Sequence, residues 1–439
     1  LKANPFAILV LMRRMFTWRQ IPKMLELKAL LLTAIEEHPE LSEEERGNLL
    51  GECDLILSFL CYNDISAMSR LHRSASSQMS RPAISIQSSG GWTFGSPSVL
   101  MMFYRAPGEL QSELAEMDEC MPHYYKVTNN HGQGAETIMR AEALFCQGHF
   151  TDAHIELERA YAQVKDNRQL NMELCCDFLS QRLSLHTDVE QRYTFAERYA
   201  ALLHHHDASW INLWSATSAY YHALRGETDK IPEIFLQHRL SAVNMLAPGK
   251  PMMEMIENQV YLAQGAYAKV VGRSAELLPV CEAMHYALVA LHIRIQTAVA
   301  YVQLRKPEEA HTWLKKALSD AEPDGFVMPF VENYERLKPL LTQEIKNDLI
   351  AKITELGEAA MARIAASARP AAFDALTPRE FEIVELMAQR LSNREIAETL
   401  YLSEGSVKQY VNQIYSKLHI EGDTRTKRKQ LAELLRKKT

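Results

Sequence analysis

The sequence lacks an apolar segment long enough to span a membrane. The longest uninterrupted apolar run, Phe6–Met12, is far shorter than the roughly 18 residues that a spanning helix needs. Two arginines follow this run directly, whereas a secretory signal carries its basic residues in front of the apolar stretch. The 7 cysteines are odd in number and include no C-x-x-C pair, which is typical of reduced thiols. We therefore expect a cytoplasmic protein that has no membrane partner.

Motifs for catalysis, cofactors and metals are also lacking. No G-x-x-x-x-G-K-[ST] phosphate-binding loop occurs, and the glycine-containing stretch 90–98 has no lysine. His204, His205 and His206 are consecutive, and consecutive helical residues point about 100° apart, so they cannot converge on one ion. We therefore expect no enzyme active site, no cofactor and no metal ligand in this chain.

Glycine is scarce, at 17 of 439 residues, and no segment alternates apolar and polar residues over the length of a strand. Apolar and small residues recur instead at spacings of three and four, as at Phe150, Ala153, Leu157 and Ala160. This period indicates helices from residue 1 to about 365. We therefore predict an all-α fold.

A turn signal repeats along this helical region. A turn residue followed two positions later by an aromatic or apolar residue, and five later by a small or apolar one, recurs at 148, 265 and 305. The turn at 226 has Thr228 in the first of these positions, and the turn at 108 matches only there, with Leu110. The spacings are 40, 78, 39 and 40, and the longest predicts a degenerate copy near Thr187. Such a period is typical of stacked helical hairpins. We predict a tetratricopeptide-like α-solenoid of about 39-residue hairpins over 1–365; a non-repetitive helical bundle is the alternative.

Two segments interrupt the helical pattern. Residues 74–98 contain 9 serines, and glycines and prolines among them predict a long loop inserted between hairpins. Trp92 and Phe94 lie inside this loop, either as anchors or as ligand-stacking residues. Residues 366–375 include Pro370 and predict a linker to a separate domain at 376–439.

Three helix starts follow one another in this last domain. Thr377 and Glu380, then Ser392 and Glu395, have the spacing of capping boxes, and Ser403 has the character of a third N-cap. The third helix, predicted over 404–418, carries a buried stripe at Val407, Val411, Ile414 and Leu418. Two short helices joined by a three-residue turn, the second of them more polar, predict a helix-turn-helix.

The polar face of that third helix has the chemistry of a base reader. Gln409 and Asn412 can each bond adenine in the major groove, and Lys408 suits guanine or a phosphate. Ser403 and Ser406, at the start of the helix, suit a phosphate oxygen. We therefore expect Lys408, Gln409 and Asn412 to contact bases.

Charge is divided as this interpretation requires. The whole chain has a formal net charge of −7, but residues 374–439 hold 12 basic and 10 acidic side chains. Within them, residues 405–439 hold 9 basic and 3 acidic side chains, including the clusters 427–429 and 436–438. An acidic helical region thus precedes a basic C-terminal segment, which favours duplex DNA as a partner.

The motifs Leu-Thr-Pro-Arg-Glu, Leu-Ser-Asn-Arg-Glu-Ile-Ala and Ser-Val-Lys make this domain resemble the LuxR-type DNA-binding domain over about 60 residues. The resemblance implies four helices, with the third in the major groove and the fourth helping to form a homodimer. It places base contacts at Lys408, Gln409 and Asn412. It places phosphate contacts at Asn393, Ser403, Ser406, Tyr410 and Lys417. The sequence departs from the family at Arg390, Ser406 and Tyr410, and in the long basic segment 421–429.

The order of the regions resembles large LuxR regulators of the maltose-regulon-activator type, in which an ATP-binding module precedes superhelical repeats and the LuxR domain. The resemblance implies that the chain corresponds to the part after that module, which agrees with a first residue of Leu1. We expect a bacterial transcriptional regulator whose repeats sense a ligand or a protein partner, with RNA polymerase among the candidate proteins. The alternative is an interaction scaffold whose C-terminal domain serves only for docking. The sequence identifies neither the effector nor the direction of regulation.

Overall fold

The computed structural model describes residues 4–87, 90–166, 169–189, 191–205, 208–243, 245–344, 346–367, 373, 375–389 and 391–436. Within these ranges the chain is helical and contains no β-strand, so the predicted all-α class is confirmed. The chain forms two compact units, 1–360 and 361–439. None of the described helices is long and apolar enough to cross a membrane.

The first unit is built almost entirely from helices of 4 to 19 residues, and a longer helix runs across its end at residue 360. The helices are α1 Pro5–Thr17, α2 Ile21–Glu37, α3 Glu43–Ser58, α4 Ile65–Gln78, α5 Val99–Phe103, α6 Leu110–Thr128, α7 Ala135–Cys146, α8 Phe150–Asp166, α9 Leu170–Ser184, α10 Phe195–Leu202, α11 Ala208–Leu224, α12 Glu233–Leu236, α13 Lys250–Ala263, α14 Tyr267–Ala283, α15 Ala287–Gln303, α16 Pro307–Ala321, α17 Met328–Val331, α18 Tyr334–Leu341 and α19 Asp348–Ser367.

The predicted turns lie between helices. Gly148, Gly265 and Arg305 have φ values of 78°, 74° and 59°, in the left-handed region that ends a helix, and each separates two long helices. Gly226 also has a positive φ of 70°, but the short 3-10 helix Thr228–Lys230 and the four-residue α12 follow it. The second half of that predicted hairpin is therefore not a long helix. The solenoid as a whole stays a prediction.

The inserted loop begins later than predicted. Residues 74–78 belong to α4, which ends at Gln78, so the serine-rich composition did not mark the end of the helix. The reason is local: Ser74 and Gln78 lie one turn apart and both bond Asp54 of α3, which holds the last turn of α4 in place. The segment from Met79 to Ser98 is the insertion.

The tip of this insertion is buried in the first unit. Trp92 and Phe94 are each 8% exposed, and Thr93 and Ser96 are fully buried. The side-chain oxygen of Asn171 in α9 accepts hydrogen bonds from the backbone N–H groups of Trp92, at 2.6 Å, and Thr93, at 3.0 Å. The insertion is therefore packed as part of the unit, and Trp92 and Phe94 anchor it.

The second unit contains the end of α19 and four further helices, which are α20 Pro378–Ala388, α21 Asn393–Leu400, α22 Glu404–Lys417 and α23 Thr424–Arg436. All four contribute to one apolar core, whose fully buried members include Ile383, Ile396 and Ile414. Phe373 is fully buried in the same core, although the sequence places it in the linker. An aromatic side chain at that position closes the core from the N-terminal side, so the folded domain begins before Leu376.

Several predictions concern residues that the structure leaves undescribed. They are Pro370 in the linker, Arg390 after α20, His206 in the histidine run, and the side chains of the basic cluster 436–438. Among the described residues, no group of three His, Cys, Asp or Glu side chains is placed to hold a metal ion. The 7 cysteines form no disulfide, and burial raises the pKa of the Cys175 and Cys176 thiols.

Candidate nucleic-acid interface

The helices of the second unit begin at the predicted caps. Thr377 and Glu380 form a complete capping box at α20, and Ser392 and Glu395 form another at α21. In each box the hydroxyl accepts from the N–H three residues on, while the glutamate accepts from the cap N–H. These local bonds fix where each helix begins, and therefore which residues α20 and α21 present on each face.

A sharp turn joins α21 to α22. Tyr401 ends α21 in the left-handed conformation, with φ 55°, and its side chain is 95% exposed. Its N–H donates to the carbonyl of Ala397, a small residue that is buried in the core of the domain. Arg379 of α20 donates to the carbonyl of Leu400 at 2.8 Å, which holds the end of α21 against α20. The turn is therefore held by one bond within α21 and by one bond from α20.

Helix α22 has two chemically distinct faces. Val407, Val411 and Ile414 are buried at 0%, 8% and 0% exposure, as predicted, and Tyr415 joins them. Leu418 follows the helix as its C-cap and is only half-buried. The opposite face carries Lys408, Gln409 and Asn412, which are all exposed, together with Gln413. Residues three and four apart on a helix are neighbours, so the three predicted base-reading side chains share one surface.

The N-terminus of α22 presents two hydroxyls. The Oγ of Ser403 accepts from the backbone N–H of Ser406 at 3.0 Å, and the two Oγ atoms lie 2.8 Å apart. Ser403 is exposed and Ser406 is half-buried. The predicted phosphate-contacting hydroxyls are thus brought together at the positive end of the helix dipole.

Asn393 and Tyr410, the next two predicted phosphate contacts, are half-buried. Asn393 is the first residue of α21, and its Oδ1 accepts from Nη2 of Arg428 at 3.4 Å. Tyr410 packs against the apolar core from α22. Both side chains therefore have a structural partner within the domain as well as access to solvent.

Lys417 is exposed, and it forms an ion pair with a buried carboxylate of the same domain. Its Nζ lies 2.7 Å from Oε2 of Glu380, whose side chain is only 3% exposed. Burial raises the pKa of the Glu380 carboxyl, but the hydrogen bonds from Lys417 and from the Thr377 N–H outweigh burial, so the pKa lies below its usual value. Lys417 thus connects the end of α22 to the start of α20.

Sequence reasoning missed one arginine that organises this interface. Arg428 of α23 donates to the carbonyl of Leu391 at 3.1 Å and to the Asn393 side chain. These two bonds connect α23 to the start of α21. The signal that could have found it is the basic segment 421–429, which departs from the LuxR pattern. That segment was identified by its length and its charge, which do not show what Arg428 contacts.

Two helices that share one apolar core, the capped turn between them and the exposed polar face of the second helix define the second unit as a helix-turn-helix domain. Comparison with known families gives the particular class. Residues 374–428 match the family described as "Bacterial regulatory proteins, luxR family". The chain therefore carries a LuxR-family helix-turn-helix domain at its C-terminal end.

Two curated relatives share this segment. The chain is 47% identical over 49 residues to "Transcriptional regulatory protein LnrK" of Bacillus subtilis (strain 168). It is 45% identical over 49 residues to "Transcriptional regulatory protein DegU" of Brevibacillus brevis. Each match covers 11% of this chain and 22% or 21% of the relative, so the chain spans about a fifth of the length of the curated relatives it matches.

Proposed function

We propose that this protein is a sequence-specific DNA-binding transcriptional regulator in which α22 enters the major groove. The observation that carries the proposal is the exposed face of α22, where Lys408, Gln409 and Asn412 stand opposite a buried apolar stripe. The LuxR-family match over 374–428 and two relatives named as transcriptional regulatory proteins support it.

The three exposed side chains recognise different bases. Gln409 and Asn412 each offer an amide that donates to and accepts from N6 and N7 of adenine. Lys408 donates to guanine O6 or N7, or to a nearby phosphate. None of the three has a hydrogen-bond or ion-pair partner among the described residues, so nothing there competes with a base for these groups.

The remaining predicted contacts position the domain on the backbone. Ser403 and Ser406, at the positive end of α22, bind one phosphate oxygen. Asn393 and Tyr410 contact phosphates through their exposed atoms. Lys417 contributes its positive charge from within the pair with Glu380, which makes it the weakest of the five proposed phosphate contacts.

The dimer and the role of the first unit are proposed from the family resemblance. Two copies bind one operator, and α23 contributes to the contact between them. The first unit senses a small-molecule or protein effector and controls DNA binding, and RNA polymerase is the candidate protein partner. The cavity described below is the feature of the first unit that supports a small-molecule effector.

Selection of binding sites from random duplex DNA with the full chain, followed by mobility shift, tests this proposal. We expect a defined sequence to be enriched and its affinity to fall steeply with salt, because contacted phosphates release counterions. Equal affinity for the enriched and a shuffled duplex would contradict sequence-specific regulation and favour the scaffold interpretation.

A further inference from the structure

A cavity of about 230 Å³ lies in the first unit, where five separate segments of the chain meet. Its walls come from α1, from the tip of the insertion, from Asn171 of α9, from the N-terminal part of α11 and from the segment 245–253, which ends inside α13. The lining includes Arg13, Phe94, Trp210, Asn212, Met245 and Met253.

Arg13 is the one cationic side chain among the described residues that line this cavity. Its guanidinium lies 4.7 Å from the ring centre of Phe59 and 5.4 Å from that of Phe16. Its Nη1 donates to Oγ1 of Thr17 at 3.0 Å. These contacts hold the group in place, and among the described residues they leave most of its five N–H donors without a partner.

No carboxylate balances this charge in the part of the chain that the structure describes. Arg13 has no ion pair there, and none of the described lining residues is acidic. Burial lowers the pKa of Arg13, which reflects the cost of removing the cation from water. An anionic ligand would offset that cost, because charge-assisted hydrogen bonds are stronger in a partly buried site.

The rest of the cavity suits the apolar part of a ligand. Phe94 and Trp210 are 8% and 7% exposed, and Met253 is 2% exposed, so these side chains form a largely dry wall. Asn212 is half-buried, and its amide has no hydrogen-bond partner among the described residues. One cation, one free amide and an aromatic wall are the features of a site for a small amphipathic anion.

Contacts between the segments fix the walls. A Cβ at Gly249 would lie 2.4 Å from the carbonyl oxygen of Phe94, so the insertion packs directly on the start of α13. Arg19, just after α1, donates to the carbonyl of Met245 at 2.8 Å. The cavity is therefore assembled by contacts that depend on one another, and a ligand in it would link α1, the insertion and α11.

We propose that this cavity binds a small organic anion, a carboxylate with an aromatic or aliphatic body, through Arg13. We further infer that this anion is the effector of the first unit, an inference that rests on the proposed regulatory function.

Isothermal titration of the full chain with phenylacetate, indole-3-acetate and octanoate, and with the three corresponding amides, tests the site. We expect saturable binding of at least one acid and about tenfold or more weaker binding of its amide, because the amide loses the charge-assisted bond. Arg13→Gln should remove the preference for the acid, whereas Arg13→Lys should keep it. Arg14→Gln, on the exposed neighbouring arginine, is the matched control and should bind like the parent chain.

Absence of saturable binding by all three acids, or equal affinity for acid and amide in the unaltered chain, overturns the proposal. The comparison in the unaltered chain does not depend on the folding of any variant. Anion binding is measured without DNA and DNA binding without anion, so failure of the site and failure of the regulator proposal are separate results. An acid that binds but leaves the DNA affinity unchanged would refute only its role as effector.

Discussion

At the scale of single residues, the proposed base recognition depends on the amides of Gln409 and Asn412. Both are exposed on α22, and both can read adenine. We predict that Gln409→Ala and Asn412→Ala each lose about 1–3 kcal/mol of discrimination between the selected and shuffled duplexes. Gln389→Ala, an exposed amide outside α22, is the control and should change nothing. Mobility shift with both duplexes measures the two affinities. An equal loss of affinity for both duplexes would mean that the amides contact only the DNA backbone.

Lys417 has a different role from Lys408, although both lie on α22. Lys417→Met removes the ion pair with the buried Glu380 carboxylate, so we expect the free energy of unfolding of the second unit to fall by about 1–3 kcal/mol near neutral pH. Lys408→Met removes an exposed charge and should weaken DNA binding with little effect on stability. Hydrogen exchange of the α20 and α22 amides measures the difference.

The pH dependence of this effect has a defined sign. The pKa of Glu380 is lowered in the folded domain, so its contribution to stability is present above the ordinary carboxyl pKa and is lost as pH falls through the folded value. The stability gap between the parent chain and Lys417→Met should therefore narrow below about pH 4. A gap that persists unchanged at acid pH would show that the lysine acts through packing of its stem.

Residue-level prediction from sequence succeeded where the interaction is local. The caps at Thr377, Ser392 and Ser403 depend on residues three positions apart, so their spacing is legible in the sequence. The partner of Lys417 lies 37 residues away, and that of Arg428 lies 35 residues away. Pairs at such separations depend on how the helices pack against one another, and that packing cannot be predicted from a single sequence.

At the scale of elements, the insertion is the part of the fold that composition described least well. Serine-rich sequence predicted a loop over 74–98, but the structure continues α4 to Gln78 and buries the tip of the insertion at Trp92 and Phe94. Propensity could not foresee this, because the stabilising bonds to Asp54 and Asn171 come from other helices. The helix-ending turns at Gly148, Gly265 and Arg305 depend on local backbone geometry, and their positions were predictable.

Substitutions at two glycines test how the insertion is packed against the start of α13. Gly249→Ala places a Cβ 2.4 Å from the Phe94 carbonyl oxygen, which must displace the insertion and should cost about 1–3 kcal/mol. Gly272→Ala, inside α14 with nothing within 4 Å, should instead stabilise by about 0.5–1 kcal/mol. Hydrogen exchange should rise over 92–103 in the first variant only. Unchanged exchange there would show that the insertion is not held by this contact.

At the scale of the whole molecule, two units carry opposite charge balances. Residues 374–439 have two more basic than acidic side chains, in a chain whose overall charge is −7. The basic excess lies in residues 405–439, which include α22, and the remainder of the chain is acidic. This division agrees with DNA binding by the C-terminal domain.

Replacing N7 of adenine by a C–H group tests whether α22 reads bases in the major groove. In the selected duplex, 7-deazaadenine replaces adenine and removes only the major-groove N7 acceptor, while pairing and the minor groove remain intact. We predict a clear loss of affinity for the unaltered chain and a much smaller loss for the double variant Gln409→Ala, Asn412→Ala. Equal affinity of the unaltered chain for the natural and the 7-deaza duplex would contradict base reading by α22.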